Sequence, residues 1–266
     1  MNHGAVVERT TILLSRLPAA FDGLRVVLIA DVHAGPPRRD VARLESIVRT
    51  VNTLAADLVL LLGDVVHNPA EAPLYLPSLA QLKARLGVWA LLGNHEHAFV
   101  WYCRYLGSSP PFSVDDWRRM YAEVGVNLLA NEAQSLANGG SRIWLVGVDD
   151  AYSGHDDLPA ALHSADASDL RLVVTHSPDI IDHPFIAQAD LVLAGHTHGG
   201  QVHLPWLGPV WAPCRKPRQR AAGLLRTNGT TLYVTRGAGE ALAFRFRCPR
   251  EITVLELRSS PGPDPT

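Results

Sequence analysis

The chain of 266 residues has little cysteine and no excess of either charge. Its three cysteines, Cys103, Cys214 and Cys248, are odd in number and lack a CxxC spacing, which argues against a disulfide framework and against a cysteine-based zinc site. Lys and Arg total 24 and Asp and Glu total 26, so the formal net charge is -2. This balance gives no polybasic field, and we expect no sequence-specific binding of nucleic acid.

The chain also lacks a long uninterrupted apolar run near its beginning. Residues 1–21 carry Glu8, Arg9 and Arg16 and are too polar for a signal peptide or a membrane span, so the expected compartment is the cytoplasm. Hydrophobic residues make up 47% of the sequence, enough for a full core. No linker interrupts residues 1–258, which predicts one domain over that range. The segment 259–266 has no apolar content and is expected to be disordered.

What the sequence does contain is five short apolar runs, each followed by a residue that can bind a metal. The runs span residues 24–30, 58–62, 88–92, 170–175 and 191–194. Short apolar runs bounded by glycine and polar residues are typical of buried strands, and ligands of α/β sheets bind beyond the carboxyl ends of the strands. We therefore expect one sheet edge to collect a metal-dependent site made of Asp31, His33, Asp64, Asn94, His95, His176, His196 and His198.

The order of the predicted elements indicates the fold class. Helical spacing predicts helices over 40–54, 74–86, 115–124 and 179–188, and further strands are predicted over 126–129, 134–136, 143–148, 201–204, 232–235 and 252–257. Strands and helices alternate in the first half, which favours a largely parallel sheet. The second half is rich in strands and predicts a second sheet packed on the first, with helices outside both.

The residue types at these strand ends indicate the chemistry. Side chains at i and i+2 of an extended segment share a face, so Asp31 and His33 can bind the same ion. Asp64 has two carboxylate oxygens and could bridge two ions. Mixed oxygen and nitrogen ligands without thiolate suit Mn, Fe, Zn or Co. His95 is not needed to complete the coordination of either ion. It is therefore the candidate to stabilise or protonate a leaving oxygen. Glu96 is expected to accept a hydrogen bond from His95 or its neighbours.

Taken in order, these motifs resemble the signature of the calcineurin-like metallophosphoesterases. The motifs are Asp31-x-His33, Gly63-Asp64, the GNHE sequence of residues 93–96, His176, and Gly195-His196-x-His198. The resemblance extends over residues 17–257. Within that family, GHTHGGQ (195–201) and RFRCPREITVLEL (245–257) are similar to the bacterial YkuE/YaeI-type phosphodiesterase branch.

The resemblance implies an α/β fold, a four-layer α/β/β/α sandwich of two mixed sheets flanked by helices, with two divalent metal ions (Mn, Fe, Zn or Co). It implies that one ion takes Asp31, His33, Asp64 and His198, that the other takes Asp64, Asn94, His176 and His196, and that His95 is the catalytic histidine outside both shells. The implied reaction is phosphodiester hydrolysis by a metal-bridging hydroxide, with His95 assisting the leaving group. The alternatives are a phosphomonoesterase, a UDP-2,3-diacylglucosamine-type pyrophosphatase and a non-catalytic metal-binding scaffold. The expected partner is a small-molecule phosphoester, with nucleotide- and lipid-linked substrates both open.

Two segments keep more than one interpretation. The aromatic stretch 99–111 is either part of the core or a cap over the metal centre that binds an apolar part of the substrate. The basic cluster of Arg215, Lys216, Arg218 and Arg220 is a solvated loop, a clamp for a second phosphate, or a peripheral contact with an anionic membrane.

Four further side chains near the motifs are left open in the same way. His67 and His97 either line the mouth of the site or are ordinary surface or core residues. Asp149 and Asp150 are either a structural turn or a support for the site.

Overall fold

The computed structural model describes residues 4–35, 41–97, 112–227, 229–240 and 244–260, and these residues contain two six-stranded sheets. Fourteen strands are labelled in chain order: β1 Val6–Leu14, β2 Leu24–Ile29, β3 Leu58–Leu62, β4 Val88–Leu91, β5 Asn127–Leu128, β6 Glu132–Asn138, β7 Ser141–Gly147, β8 Leu170–Val174, β9 Leu191–Ala194, β10 His203–Leu204, β11 Gly208–Pro209, β12 Gly223–Thr227, β13 Thr230–Val234 and β14 Glu251–Ser259. The α-helices in the described ranges are α1 Val41–Asn52, α2 Ala72–Tyr75, α3 Val114–Glu123, α4 Leu158–His163 and α5 Pro217–Arg220.

Both sheets are mixed, and each has a parallel centre. The first has the order β1-β14-β2-β3-β4-β5, in which β2, β3, β4 and β5 are parallel and β14 is antiparallel to β2. The second has the order β12-β13-β9-β8-β7-β6, in which β13, β9, β8 and β7 are parallel and the two outer pairs are antiparallel. The parallel strands point their carboxyl ends to one edge of each sheet, which is where ligands of such sheets bind.

Three apolar cores define four layers. One core lies between the sheets and includes Leu60 of β3, Leu145 of β7 and Leu172 of β8. A second fills the space between the first sheet and its helices, among them α1 and α3. The third lies between the second sheet and α4. The predicted α/β/β/α sandwich is therefore confirmed, with helices on the outer face of each sheet.

Two of the predicted helices are wrong in part, and proline is the reason. Residues 179–188 form two short 3-10 segments, Pro178–Asp182 and Ile186–Gln188, because Pro184 between them cannot continue a helix. Residues 74–86 contain only the end of α2, followed by the 3-10 segment Leu76–Gln81 with Pro77 near its start. The prediction over 115–124 is confirmed by α3, which begins after a capping box between Ser113 and Asp116.

Five of the described strands and α-helices lie outside the predicted ranges: β1, β11, β12, α4 and α5, of which β11 and α5 contain only two and four residues. β1 and β12 are the edge strands of their sheets, and much of each is exposed, so neither carries the apolar run that marks a central strand. α4 spans one and a half turns, which is too short for a helical period to stand out.

The two ends of the chain bear on the remaining predictions. β14 extends to Ser259, whose backbone N–H donates to Asp22, so the strand includes the first residue of the predicted tail. Residues 261–266 lie outside the described residues, and their disorder stays a prediction. Among the residues that the structure describes, no helix is long and apolar enough to cross a membrane. A cytoplasmic location likewise stays a prediction.

Candidate metal centre

The carboxyl ends of the parallel strands deliver the predicted side chains to one edge that both sheets share. Asp31 and His33 follow β2, Asp64 follows β3, Asn94 and His95 follow β4, His176 follows β8, and His196 and His198 follow β9. The backbone turns sharply at five of these positions, with positive φ values of 54° at Asp31, 48° at His33, 51° at Asp64, 67° at His196 and 52° at His198. Such conformations are costly for residues other than glycine and cluster at functional sites.

Asp31, His33 and His198 form the first group of candidate ligands. Their ligand atoms lie within 4.8 Å of one another, and all three side chains are buried. The Nε2 atoms of His33 and His198 are 3.1 Å apart, and His198 Nε2 lies 3.6 Å from Asp31 Oδ1. Two imidazole nitrogens and a carboxylate oxygen thus converge on one point.

Asp64, His176 and His196 form the second group, again within 4.8 Å of one another. His196 Nδ1 lies 3.0 Å from His176 Nε2, and Asn94 Oδ1 lies 3.3 Å from the same His176 atom. Asp64 joins the two groups, because its Oδ2 is 3.3 Å from His176 Nε2 and 3.6 Å from His33 Nε2. One carboxylate oxygen therefore faces both groups.

Electrostatics show that these groups fit cations. Asp31 Oδ1 is buried without a hydrogen-bond donor, and burial raises the pKa of Asp31 to about 7, although His176 opposes the shift. Burial lowers the pKa of His33 and His198 well below the ordinary value and that of His196 to about 3, so these imidazoles are neutral near pH 7. A neutral imidazole is the form that binds a metal, and a divalent ion would neutralise a buried carboxylate.

His176 is anchored across the junction of the sheets. Its Nδ1 donates to the carbonyl oxygen of Leu62 at 2.7 Å, which leaves Nε2 directed at the ligand groups. Burial lowers the pKa of His176, but the Asp64 carboxylate outweighs that effect and raises the pKa well above the ordinary value. The backbone N–H of His196 donates to Asp31 Oδ2 at 3.0 Å, a second bond between the two sheets. The ligand set is therefore held in place by hydrogen bonds that cross from sheet to sheet.

His95 lies beside the first ligand group. Its ring centroid is 4.5 Å from that of His33, its backbone N–H donates to Asp64 Oδ1 at 2.9 Å, and its Nδ1 donates to the carbonyl oxygen of His67 at 2.7 Å. The ring of His67 lies 4.9 Å from that of His95, so His67 does line the site. His33, His67 and His95 also form a third group of ligand atoms within 4.8 Å.

Glu96 supports the neighbours of His95 rather than its ring. The buried carboxylate accepts from the backbone N–H groups of Asp64, Val65 and Gly93, each at 2.8 Å. It thereby ties the turn after β3 to the turn after β4. Of the two partners expected for Glu96, His95 or its neighbours, the structure shows contacts with the neighbours.

Space at this junction is scarce. A Cβ on Gly93 would clash with the carboxylate of Asp64 and would lie 2.7 Å from its backbone nitrogen. Gly93 has no positive φ, so close packing alone requires glycine at this position.

Two residues that sequence reasoning missed complete the surroundings. The guanidinium of Arg245 donates to the carbonyl oxygens of Arg236 at 2.8 Å and His198 at 3.0 Å, and it lies 3.4 Å from His198 Nδ1. Tyr152 places its ring 4.4 Å from that of His196. Arg245 belongs to the RFRCPREITVLEL motif, which was a usable signal, whereas nothing in the local sequence marks Tyr152.

His97, Asp149 and Asp150 make contacts beside the candidate ligand groups rather than within them. His97 Nε2 lies 2.7 Å from Asp149 Oδ1, and its ring stacks on His155 at 3.9 Å, so His97 binds a supporting carboxylate beside the metal centre. Asp150 accepts from the backbone of Tyr152 and Ser153 and shapes a turn.

Among its described side chains, the basic cluster contains one buried, paired arginine and two exposed cations. Arg220 is buried against Asp182 in a two-bond ion pair at 2.7 and 2.8 Å, whereas Arg215 and Lys216 are exposed. Residues 99–111 lie outside the described residues, so the choice between core and cap stays open.

Comparison with known proteins identifies the class to which this site belongs. The model of the calcineurin-like phosphoesterase family matches residues 24–200, which is about two thirds of the chain. The chain is 29% identical over 262 residues to the uncharacterized metallophosphoesterase YkuE of Bacillus subtilis, covering 96% of this chain and 87% of YkuE. It is 32% identical over 207 residues to the phosphodiesterase YaeI of Escherichia coli, covering 76% and 70%. It is 27% identical over 299 residues to the UDP-2,3-diacylglucosamine pyrophosphatase LpxG of Chlamydia trachomatis, covering 95% and 90%.

The chain belongs to the calcineurin-like phosphoesterase family, as the order of its motifs predicts. It is a hydrolase of phosphoric ester bonds whose cofactors are two divalent metal ions, and the described residues offer ligand groups for both.

Proposed function

We propose that this protein is a dinuclear-metal phosphodiesterase. Asp31, His33, Asp64 and His198 would hold one ion, and Asp64, Asn94, His176 and His196 would hold the other. The observation that carries the proposal is the position of Asp64 Oδ2, which lies 3.6 Å from a nitrogen of the first group and 3.3 Å from a nitrogen of the second. A carboxylate shared in this way is the usual centre of a site for two ions.

The protein's own residues would then orient the substrate and move a proton. When bound, a pair of divalent ions polarises a phosphoryl group and makes water a good nucleophile near neutral pH. His95 holds its Nδ1 proton on the carbonyl oxygen of His67, so Nε2 is the atom that would donate to the leaving oxygen. Glu96 keeps Asp64 and the turn of Asn94 in register through its four backbone contacts.

A cavity beside the metal centre supports a diester as substrate. Its volume is about 400 Å³, and its lining includes Tyr152, Trp211 and Arg215. Tyr152 contacts both this cavity and the ring of His196, so the cavity adjoins the proposed second ion site. A diester carries a second substituent on phosphorus, and the cavity offers room for it next to the reacting atoms.

A pyrophosphate linkage is the second candidate, on two observations. LpxG, whose name states that it is a pyrophosphatase, aligns with 95% of this chain. The same cavity carries the exposed Arg215, a cation that would suit a second phosphate. A nucleotide- or lipid-linked small molecule is therefore the partner that we propose.

Hydrolysis of two chromogenic esters tests the proposal. Metal-stripped protein is supplied with Mn, Fe, Zn or Co and assayed with bis-p-nitrophenyl phosphate and p-nitrophenyl phosphate, with His95→Ala and the exposed-residue control His163→Ala beside the wild type. We expect metal-restored activity that prefers the diester and is lost only in His95→Ala. A preference for the monoester would identify a phosphomonoesterase, and silence toward both esters with two ions bound would favour a binding scaffold.

A further inference from the structure

The segment after His198 forms a small sheet with an exposed apolar face. β10 and β11 pair as a hairpin, and the backbone N–H of Val210 donates to the carbonyl oxygen of Val202 at 3.1 Å, which continues the pairing. At the other edge of this strand, Val202 forms a parallel β-bridge with Phe246. Because alternate residues of a strand share a face, Val202, Leu204, Val210, Phe246 and Phe244 lie on the same side of this sheet.

That face is exposed rather than packed. Leu204, Val210, Phe244 and Phe246 are all exposed, and the Phe244 and Phe246 rings stack with centroids 6.4 Å apart. At the tip of the hairpin, Trp206 is 104% exposed and stands next to the exposed Leu207. We call these six residues the apolar patch. An exposed cluster of large apolar side chains marks an interaction site.

Charge at the edge of the patch indicates the kind of partner. The sequence contains no Asp or Glu from Leu191 to Gly239. Three of the arginines in and after this stretch, Arg220, Arg236 and Arg250, pair with carboxylates elsewhere, so they add no free charge beside the patch. Arg215 and Lys216 are exposed just before α5, which packs beside β11, and Arg247 is exposed next to Phe246. The apolar patch is thus bordered by cations.

We infer that the apolar patch docks on the surface of an anionic lipid bilayer. Trp and Phe side chains on a protruding turn insert into the interfacial region of a bilayer, and flanking Lys and Arg contact anionic headgroups. A second protein copy would need a complementary acidic face to meet these cations, whereas an anionic bilayer supplies one directly. Docking would set the metal centre at the membrane, since the hairpin begins only a few residues after His198.

Vesicle binding tests this inference. The wild type is mixed with vesicles of phosphatidylcholine alone and of phosphatidylcholine with phosphatidylglycerol, and the bound fraction is measured by sedimentation at low and high salt. We expect binding to the anionic vesicles that weakens with salt, together with a blue shift of tryptophan fluorescence. No binding to anionic vesicles at low salt would overturn the inference.

Variants separate the apolar from the electrostatic contribution. Trp206→Ala should weaken vesicle binding about tenfold or more, and Arg247→Ala about fivefold. Leu74→Ala removes an exposed apolar side chain from α2, outside the patch, and should leave vesicle binding unchanged. Because Trp206 is fully exposed, Trp206→Ala should keep the wild-type melting temperature and the wild-type hydrolysis of bis-p-nitrophenyl phosphate.

Sedimentation equilibrium decides whether a second copy occupies the patch instead. A mass that doubles with protein concentration in the wild type and stays monomeric in Trp206→Ala would overturn the inference. Equal vesicle binding by Trp206→Ala and the wild type would also overturn it, because binding would then not use the tip of the hairpin.

Discussion

The two sheets contribute different chemistry to their shared edge. Among the proposed metal ligands, the first sheet contributes three oxygen-bearing side chains and one imidazole, whereas the second contributes imidazoles alone: Asp31, Asp64, Asn94 and His33 against His176, His196 and His198. Neither sheet by itself offers two mixed shells. The proposed dinuclear centre would therefore form only where the sheets pack together, and the Leu62 carbonyl and the Asp31 carboxylate join the sheets there by bonding to His176 and His196.

The two sheets also hold their ligands in different ways. On the first, Glu96 binds the backbone of two ligand-bearing turns, and Gly93 allows them to touch. On the second, the support comes from other elements, namely Leu62 of the first sheet and Arg245 of the segment before β14. The turns that carry Asp64 and Asn94 are thus held within the first sheet, whereas those that carry His176 and His198 depend on contacts with other elements.

The largest loss of activity is expected at Asp64, where the two ligand groups meet. Asp64→Ala removes the carboxylate that faces both ligand groups, so it should reduce turnover by about 10⁴-fold or more. Metal content and diester hydrolysis are measured together in this variant. Asp115→Ala removes an exposed carboxylate and serves as the matched control. Full metal content with wild-type turnover in Asp64→Ala would contradict the shared role.

A smaller loss is expected from the side chain that acts outside both shells. His95→Ala should lower kcat by about 10²- to 10⁴-fold and leave two ions bound, because a proton donor is lost and the ligands remain. The loss should shrink for esters whose leaving group is a weaker base. A uniform loss across leaving groups would contradict the role as proton donor, and loss of an ion would identify His95 as a ligand beside His33 and His67.

The support of the first sheet can be removed without touching a ligand. Glu96→Ala leaves four buried backbone N–H groups, those of Asp64, Val65, Val66 and Gly93, without their acceptor, which should lower the free energy of unfolding by about 3 kcal/mol. Glu45→Ala on α1, where the carboxylate is largely exposed, is the control. Chemical denaturation measures both variants, and equal stability of the two would show that the backbone contacts of Glu96 contribute little.

Removal of metal should separate the site from the fold. The sheets are joined by an apolar core, so stripped protein should keep its circular dichroism spectrum and unfold cooperatively. Adding back an ion at 100 times its Kd should stabilise the protein by about 2.7 kcal/mol. Unfolding on addition of a chelator would mean that the junction of the sheets needs the ions to form.

The smallest effect concerns a contact that links the two sheets beside the centre. Burial lowers the pKa of His97, but the hydrogen bond and charge of Asp149 outweigh it and raise the pKa above its ordinary value. The pair therefore stabilises the fold fully below the unfolded pKa of about 6.5 and loses that contribution as the pH rises through the folded value. The stability difference between wild type and Asp149→Asn should thus be larger near pH 6 than near pH 9. A difference that grows with pH would contradict this sign.

The sequence predicts the central strands and the ligand-bearing ends well, because both follow from short apolar runs that stop at a polar residue. Leu58–Leu62 before Asp64 and Leu191–Ala194 before His196 are examples, and the structure has strands with those bounds. Edge strands such as Val6–Leu14 carry mixed side chains and escape the same reasoning. The helix predicted over 179–188 is wrong because helical spacing does not reveal the break that Pro184 imposes.

The residues of the candidate site also differ in whether the sequence alone reveals them. Residues next to a strand end can be found from the chain alone, whereas Tyr152, Arg245 and the Leu62 carbonyl reach the centre only through tertiary packing. The backbone contacts of Glu96 are a similar case, since the sequence shows the carboxylate but not which N–H groups it meets.

Metal stoichiometry measured together with activity decides whether the two sheets share a centre for two ions. The number of bound ions per chain is determined by elemental analysis of Mn-loaded protein, for the wild type and Asp64→Ala, alongside hydrolysis of bis-p-nitrophenyl phosphate. The account predicts two ions and diester hydrolysis in the wild type, with both reduced in Asp64→Ala. Full activity with a single bound ion would contradict a centre that the two sheets share.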